Sequence, residues 1–251
     1  MDFFIVCSAS LLAGFIDAIV GGGGLVLVPA LFATFPNAAP ATLFGTNKGA
    51  ATWGTMMAAW QFSRKVALQW PRVLPAALAA GLGALAGVWL LTAVSPSLLR
   101  KLLPLVLLLV LIYTLVKKNL GTQHAPRFSG RREVVVLAAI GAVLGLYDGF
   151  FGPGTGSFMV FAMVRWLGYD FLRASAHAKV LNLSTNIAAL ALLSLGGHVW
   201  WHYAVPMAVA NVAGSLLGTR MAFAHGAGFV RKVFIAVVAA LIAKTGWDAY
   251  F

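Results

Sequence analysis

Charged residues divide this chain into long apolar stretches. No Asp, Glu, Lys or Arg lies between Arg72 and Arg100, or between Lys179 and Arg220. Each of these gaps can hold a membrane-spanning helix of about 20 apolar residues. The apolar residues follow one another without the alternation of apolar and polar positions that a membrane β-barrel requires. The pattern therefore predicts an all-α integral membrane protein, with bilayer lipid around it.

The sequence also matches itself without a gap at an offset of 131 residues. This register places Asp17 on Asp148 and Lys48 on Lys179. Further matches are Gly14 with Gly145, Gly21 with Gly152, Gly23 with Gly154, Trp70 with Trp201, Pro75 with Pro206, Gly83 with Gly214, Gly87 with Gly218 and Arg100-Lys101 with Arg231-Lys232. Coincidences of Asp, Lys, Trp and Pro are rare in a chain rich in Ala and Leu. We predict two homologous repeats, residues 1–116 and 134–251, joined by a basic loop, residues 117–133.

Each repeat begins with an apolar segment that glycines interrupt, and three continuous apolar helices follow it. In the first repeat the predicted segments are Phe3–Phe35, Ala41–Phe62, Arg72–Val94 and Leu98–Val116. In the second repeat they are Val134–Leu167, Ala174–Leu195, Tyr203–His225 and Phe229–Tyr250. The interrupted segment decides the architecture, because it can be placed in a membrane in two ways.

The interrupted segments are too long for one straight span. As a single helix, Phe3–Phe35 would be about 50 Å long at ~1.5 Å per residue, against a hydrocarbon core of ~30 Å. The break is predicted at Gly21–Gly24 and, in the second repeat, at Gly152–Gly156, where Pro153 cannot donate a helix hydrogen bond. Each segment either crosses the membrane with a kink or enters it and returns.

These two possibilities orient the repeats differently, and positive charge distinguishes them. Crossing segments give parallel repeats and place 9 basic residues inside against 7 outside, with Lys48 and Lys179 set aside as intramembrane. Re-entrant segments give inverted repeats and place 13 inside against 3 outside. Since cytoplasmic loops of membrane proteins are rich in Lys and Arg, the count favours inverted repeats with both termini in the periplasm. The net charge of +12 is then a topology signal, and no nucleic acid is expected as a partner.

Paired breaks at membrane depth also predict a binding site, because non-helical backbone is tolerated there only inside protein or around a cavity. The second half of each broken helix is predicted to begin near Leu25 and near Phe158, where free N–H groups and the positive end of the helix dipole suit an anion. The alternative is that these glycines only let helices pack closely. That packing role alone is predicted for Gly81, Gly83, Gly87, Gly214 and Gly218.

Lys48 and Lys179 are the second sign of an anion site. A lysine inside a membrane costs ~3 kcal/mol on insertion scales, so it should face a partner, a cavity or a substrate. Both lie in polar strings, GTNK and HAKVLNLSTN. The predicted substrate-binding residues are Gly22, Gly23, Gly24, Thr46, Asn47, Lys48, Gly154, Thr155, Gly156, Ser157, Lys179, Asn182 and Asn186. The alternative is that each lysine reaches an interface or forms a structural ion pair with Asp17 or Asp148.

Three residues are candidates for proton coupling. Asp17 and Asp148 precede the breaks by four residues, and each could carry a proton, balance a lysine or cap a half-helix. His177 is the third candidate, because its ordinary pKa lies near neutrality. A proton-coupled carrier would therefore have a small anion and protons as its partners, and a homodimer is left open.

Enzyme functions are not expected. The chain has no G-x-S-x-G, no H-E-x-x-H and no Walker-type G-x-x-x-x-G-K-[ST], and its single Cys7 excludes a cysteine-cluster metal site. We therefore expect no cofactor, no metal and no ATP hydrolysis by this chain. A secondary carrier, an anion channel and a membrane assembly subunit with structural polar residues are the functions that remain.

Four strings of the sequence resemble the TauE/SafE family of sulfite-exporter-type membrane proteins. They are GFIDAIVGGGGLVLVPAL, GTNK, GLYDGFFGPGTGSF and AHAKVLNLSTN, in the same order and across both repeats. The resemblance implies transport of small sulfur-containing anions, such as sulfite or organosulfonates, across a bacterial cytoplasmic membrane. It leaves the substrate and the direction of transport open.

Overall fold

The computed structural model of the chain describes residues 1–95, 97–98, 105, 108–109 and 125–225. These residues are almost entirely helical and contain no strand. The predicted helix Phe229–Tyr250 and most of the predicted helix Leu98–Val116 lie outside them. The all-α prediction is confirmed for the described part of the chain.

The described helices are α1 (Asp2–Val20), α2 (Gly24–Thr34), α3 (Pro40–Lys65), α4 (Trp70–Ala93), α5 (Gly130–Phe150), α6 (Thr155–Ala162), α7 (Phe171–Leu195) and α8 (Trp201–His225). A π-helical turn, Met163–Leu167, continues α6. In the register of the repeat, α1 to α4 correspond to α5 to α8. By length and composition, α1, α4, α5 and α7 can each cross a membrane.

Both predicted breaks are present. Gly21 has a φ of 76° and ends α1, and α2 begins at Gly24. In the second repeat Gly152 and Gly154 have φ values of 90° and 83°, in the left-handed region that favours glycine. Because the chain turns within these glycines, α6 begins at Thr155, three residues before the predicted start.

The predicted loop 117–133 is shorter at its C-terminal end than expected. The helix α5 begins at Gly130, so Glu133 lies in its first turn. Glu133 is buried and pairs with Arg72 of α4 and with the hydroxyl of Tyr169. This pairing holds the Glu133 carboxylate within a helix, whereas the sequence analysis placed Glu133 at the end of the loop.

Glycines let two pairs of helices approach closely, α1 with α8 and α4 with α5. A Cβ atom built on Gly83 would lie 2.3 Å from the carbonyl oxygen of Ala142. On the equivalent Gly214 it would lie 1.9 Å from the carbonyl oxygen of Leu11, the register partner of Ala142. Gly87 and Gly218 make the same kind of contact with α5 and α1, and Gly81 meets Ser184 of α7. The packing role predicted for these five glycines is confirmed.

The long helices α3 and α7 cross the centre of the bundle in opposite directions. Gly45, near the start of α3, lies against the backbone of His198, just after the end of α7. Near the end of α3, Phe62 packs with Ala176, near the start of α7. The middle of α3 therefore lies against the middle of α7.

Each broken segment starts and ends at the same end of the bundle. Phe3 at the start of α1 and Phe35 just after α2 both pack on Tyr203, with ring centroids 5.8 and 5.0 Å away. In the second repeat, Arg127 just before α5 donates its N–H to the carbonyl oxygen of Leu167 at the end of the π-helical turn, over 3.0 Å. The breaks themselves lie inside the bundle.

Candidate functional site

Two buried ion pairs join the repeats at the breaks. Nζ of Lys48 lies 2.6 Å from Oδ2 of Asp148, and both side chains are at most 5% exposed. Nζ of Lys179 lies 3.2 Å from Oδ2 of Asp17 and also donates to the Asp17 carbonyl oxygen. Each pair takes its lysine from one repeat and its aspartate from the other.

Two polar side chains link these ion pairs into one network. Lys48 also donates to Oδ1 of Asn186 over 2.8 Å. Nδ2 of Asn186 donates to Oγ1 of Thr55 over 3.3 Å, and Thr55 donates to Oδ2 of Asp17 over 3.4 Å. Thr55 and Asn186 are themselves 131 residues apart. The network therefore joins the two ion pairs in one chain, in which Asn186 bonds the lysine of one pair and Thr55 bonds the aspartate of the other.

The two breaks contact each other directly. Ser157 donates its backbone N–H to the carbonyl oxygen of Gly21 over 3.0 Å and its hydroxyl to the carbonyl oxygen of Val20 over 2.7 Å. A Cβ atom on Gly156 would lie 2.6 Å from that Gly21 oxygen. Ser157 thus satisfies carbonyl groups that the end of α1 would leave unpaired.

Asp17 has two of the three roles considered for it. It balances Lys179, and its Oδ1 accepts the N–H of Gly23 over 3.3 Å, just before α2. A carboxylate at this position also stabilises the positive end of the α2 dipole. Asp148 is a counter-ion to Lys48.

A small cavity lies between the breaks and the network. Its volume is about 30 Å³, enough for two or three water molecules at ~10–15 Å³ each. Predicted residues that line it are Asp17, Gly23, Gly24, Asn47, Lys48, Asp148, Gly154, Thr155, Gly156, Asn182 and Asn186. The structure therefore brings most of the predicted site together.

Asn47 leaves one polar group in this cavity without a partner. The residue is 5% exposed, and its Oδ1 has no hydrogen bond to any described residue. A buried polar atom without a hydrogen bond costs about 1–3 kcal/mol. A ligand or a water molecule that bonds this amide would recover that free energy.

Four predicted site residues do not line this cavity. Thr46 donates to the carbonyl oxygen of Thr42 and accepts the N–H of Trp200, so it joins α3 to the start of α8. Gly22 uses its carbonyl oxygen for Leu25. The remaining two are Ser157, which caps α1, and Lys179, which lies in a tight space beside the cavity with Ser175 and Asn182.

His177 lies outside the site as well. Its Nδ1 bonds the carbonyl oxygen of Arg173, and its ring packs on Tyr169 with centroids 5.0 Å apart. His177 and Lys179 are two residues apart on α7, which is about 200° of helical rotation. Lys179 faces Asp17, so His177 must face another part of the bundle.

The sequence reasoning missed two cavity residues with polar side chains, Thr55 and Asn211. Thr55 carried a signal, because the repeat register places it on Asn186. The repeat register pairs Asn211 with Ala80, which gives no reason to predict a polar role for Asn211. The only signal in the sequence is that Asn211 is an amide residue in an apolar helix. Asn211 lines the cavity and donates to the carbonyl oxygen of Ser10 over 2.9 Å.

Comparison with known proteins identifies the family. The family model described as sulfite exporter TauE/SafE matches residues 6–245. The chain belongs to the TauE/SafE family. No solved structure matches it.

Curated relatives of this TauE/SafE chain cover nearly its whole length. A probable membrane transporter protein of Haemophilus influenzae is 35% identical over 97% of this chain and 94% of its own. The probable membrane transporter protein YfcA of Escherichia coli K12 is 36% identical over 96% and 88%. The probable membrane transporter protein ORF9 of a Sinorhizobium species is 35% identical over 93% and 88%. With its apolar helices, the TauE/SafE chain is a multi-pass membrane protein of a transporter family.

The buried ion pair predicts a large coupling between Lys48 and Asp148. Removing one partner leaves an uncompensated buried charge, so Lys48→Met or Asp148→Leu should each lower the free energy of unfolding by about 3–5 kcal/mol. The double variant should lose much less free energy of unfolding than the two single variants lose together. Denaturant unfolding in detergent measures all four proteins of this cycle.

Arg173→Gln is the matched control, since Arg173 is half exposed and its ion pair with Asp170 is 3.4 Å long. That change should cost less than about 1 kcal/mol. Single variants of the buried pair that were as mild as this control would contradict the prediction.

Proposed function

We propose that this protein is a secondary transporter that moves a small sulfur-containing oxyanion, such as sulfite or an organosulfonate, together with protons. The observation that carries the proposal is the cavity between two broken helices with a lysine–aspartate pair from opposite repeats on either side. The sulfite exporter description of its family supports the choice of anion.

The charges of the site suggest why protons would accompany the anion. Lys48 and Lys179 are each balanced by an aspartate, so the site is neutral overall. An anion that bound a lysine beside an ionised aspartate would add an uncompensated buried negative charge, which is costly. Protonation of that aspartate frees the lysine and keeps the site neutral. One proton would then enter for each negative charge on the substrate.

The two aspartates are unequal in access. The Asp17 side chain is 15% exposed, whereas that of Asp148 is 2% exposed. Asp17 also accepts the N–H of Gly23, so its protonation would weaken a cap of α2 as well as an ion pair. We infer that Asp17 receives the proton that opens the site. The cavity has room only for water in this arrangement, so substrate entry requires the repeats to separate.

We further infer that the repeats are inverted across a bacterial inner membrane, with both termini in the periplasm. Three observations support this orientation: the equivalent helices α3 and α7 run in opposite directions, each broken segment begins and ends at one end of the bundle, and the charge count is 13 against 3. Movement of one repeat against the other would expose the site to each side in turn.

The orientation predicts where a reporter fused to the C-terminus is active. A periplasm-dependent phosphatase fused after Phe251 should be active, and the same reporter inserted after Lys118 should be inactive, because the loop 117–133 is placed in the cytoplasm. A fusion after Phe251 that works only as a cytoplasmic reporter would reject the inverted orientation.

The two lysines should both be needed for anion binding. Lys48→Gln or Lys179→Gln should each weaken sulfite binding by tenfold or more, at about 1.5–3 kcal/mol for a lost charged hydrogen bond. Isothermal calorimetry with sulfite on the purified protein checks this expectation. Lys65→Gln is the control, because Lys65 lies over the ring of Phe223 at the end of α3. Unchanged sulfite affinity in both central variants would show that the lysines are only structural.

Coupling to protons should depend on the aspartates. Asp17→Asn and Asp148→Asn remove a group that changes charge, so sulfite flux into vesicles should lose its dependence on an imposed pH difference. Asp2→Asn, at the exposed start of α1, should keep that dependence. If both central variants responded to the pH difference as the unaltered protein does, neither aspartate would be the coupling group.

A further inference from the structure

A second, larger cavity lies at the end of the bundle where α4, α5 and α7 begin. It offers about 150 Å³ to the centres of water molecules, against about 30 Å³ for the central cavity. Its walls come from the first turns of these three helices and the segments before them. The lining residues are Ala67, Gln69, Arg72, Pro126, Phe128, Ser129, Glu133, Tyr169, Arg173 and His177. We call it the mouth cavity.

The charged groups of the mouth cavity are two arginines and one carboxylate. Arg72 pairs with Glu133, whose other oxygen accepts the hydroxyl of Tyr169. Burial and the bond to Glu133 raise the pKa of Tyr169, so its hydroxyl stays protonated and donates. Arg173 makes only a 3.4 Å pair with Asp170, a residue that does not line the cavity. The walls therefore carry an excess of positive charge.

His177 leaves a polar atom in this cavity without a protein partner. The residue is 4% exposed, and its Nδ1 is used by the carbonyl oxygen of Arg173. Its other ring nitrogen makes no hydrogen bond to any residue that the structure describes. His177 lines the cavity together with Arg72 and Arg173, so this nitrogen is an acceptor that a ligand can use.

The positions of the other repeat that match the basic residues of the mouth cavity carry no basic side chain. In the register of the repeat, Arg72 falls on Tyr203, Arg173 on Thr42 and His177 on Thr46. Tyr203 there packs with Phe35 and Trp200 in an aromatic cluster. The basic groups of the mouth cavity are therefore not part of what the two repeats share, and general helix packing does not account for them.

We propose that the mouth cavity is a second binding site, which takes a small free oxyanion. Arg173 and Arg72 would hold its oxygens, since guanidinium groups bond oxyanions in pairs of parallel hydrogen bonds. Because its Nδ1–H is donated to the carbonyl oxygen of Arg173, His177 would accept with Nε2 a hydrogen bond from the O–H of a singly protonated oxyanion. The first turns of α4, α5 and α7 add the positive ends of three helix dipoles. This site is separate from the central one and does not depend on anion binding there.

Sulfite binding to the purified full chain tests the proposal, with Arg173→Gln as the main variant. Arg72→Gln would release the buried Glu133 and is avoided. In the background of Lys48→Met with Asp148→Leu, the paired replacement that leaves no buried charge without its partner, sulfite should still bind. Arg173→Gln should weaken this binding about tenfold, by the loss of a charged hydrogen bond. Arg173→Lys should restore part of the affinity, and Arg165→Gln, an exposed arginine outside the cavity, should change nothing.

The outcomes separate the two sites and the two sources of oxyanion. If Arg173→Gln leaves sulfite affinity unchanged in both the original background and the background of Lys48→Met with Asp148→Leu, the mouth site is rejected, whatever the central variants do. A lipid phosphate has the same chemistry as a free oxyanion. Sulfite binding is compared in nanodiscs with and without phosphatidylglycerol. If phosphatidylglycerol abolishes binding to the original protein but not to Arg173→Gln, the cavity holds a lipid headgroup and the proposal is overturned. Sulfite binding that is equal in phosphatidylglycerol and phosphatidylcholine discs supports it.

Discussion

A positive charge inside an apolar bundle has to be balanced nearby, and this constraint organises the protein. Lys48 and Lys179 are buried at the centre, where an unpaired ammonium group would cost several kcal/mol. Their aspartates lie just before the glycine breaks of the opposite repeat. Each lysine therefore lies beside the end of a broken helix of the other repeat, and the ion pairs hold the two repeats together. The glycines, the network through Thr55 and Asn186, and the central cavity all follow from that arrangement.

The parts of the fold that sequence reasoning predicted are those with strong local signals. A largely apolar segment of 33 residues with a run of glycines has to break near the glycines, and a lysine in an apolar helix marks a polar centre. Which aspartate pairs with which lysine could not be predicted, because residues 100 and 162 positions apart meet only after the helices pack. The start of α5 at Gly130 was not predicted for the same reason, since the partners of Glu133 come from α4 and from the segment before α7.

Helical phase explains the errors within the site itself. Thr46 and His177 each stand two residues before a lysine, which turns them about 200° away from it, so closeness in sequence was misleading. Asn182 and Asn186 follow Lys179 by three and seven residues, so they share its face and line the cavity. The mouth cavity is built from segments far apart in the chain, and no local sequence pattern indicates it.

The exchange of partners between repeats limits what half of this protein could do by itself. One repeat holds Asp17 and Lys48, yet each of these finds its partner in the other repeat. A gene that encoded a single repeat could satisfy these charges only by assembling two copies of its product. Fusion of two such genes would have made the assembly permanent and allowed the residues at the two ends of the bundle to diverge. A substitution at a central lysine or aspartate would still have required a compensating substitution in the other repeat.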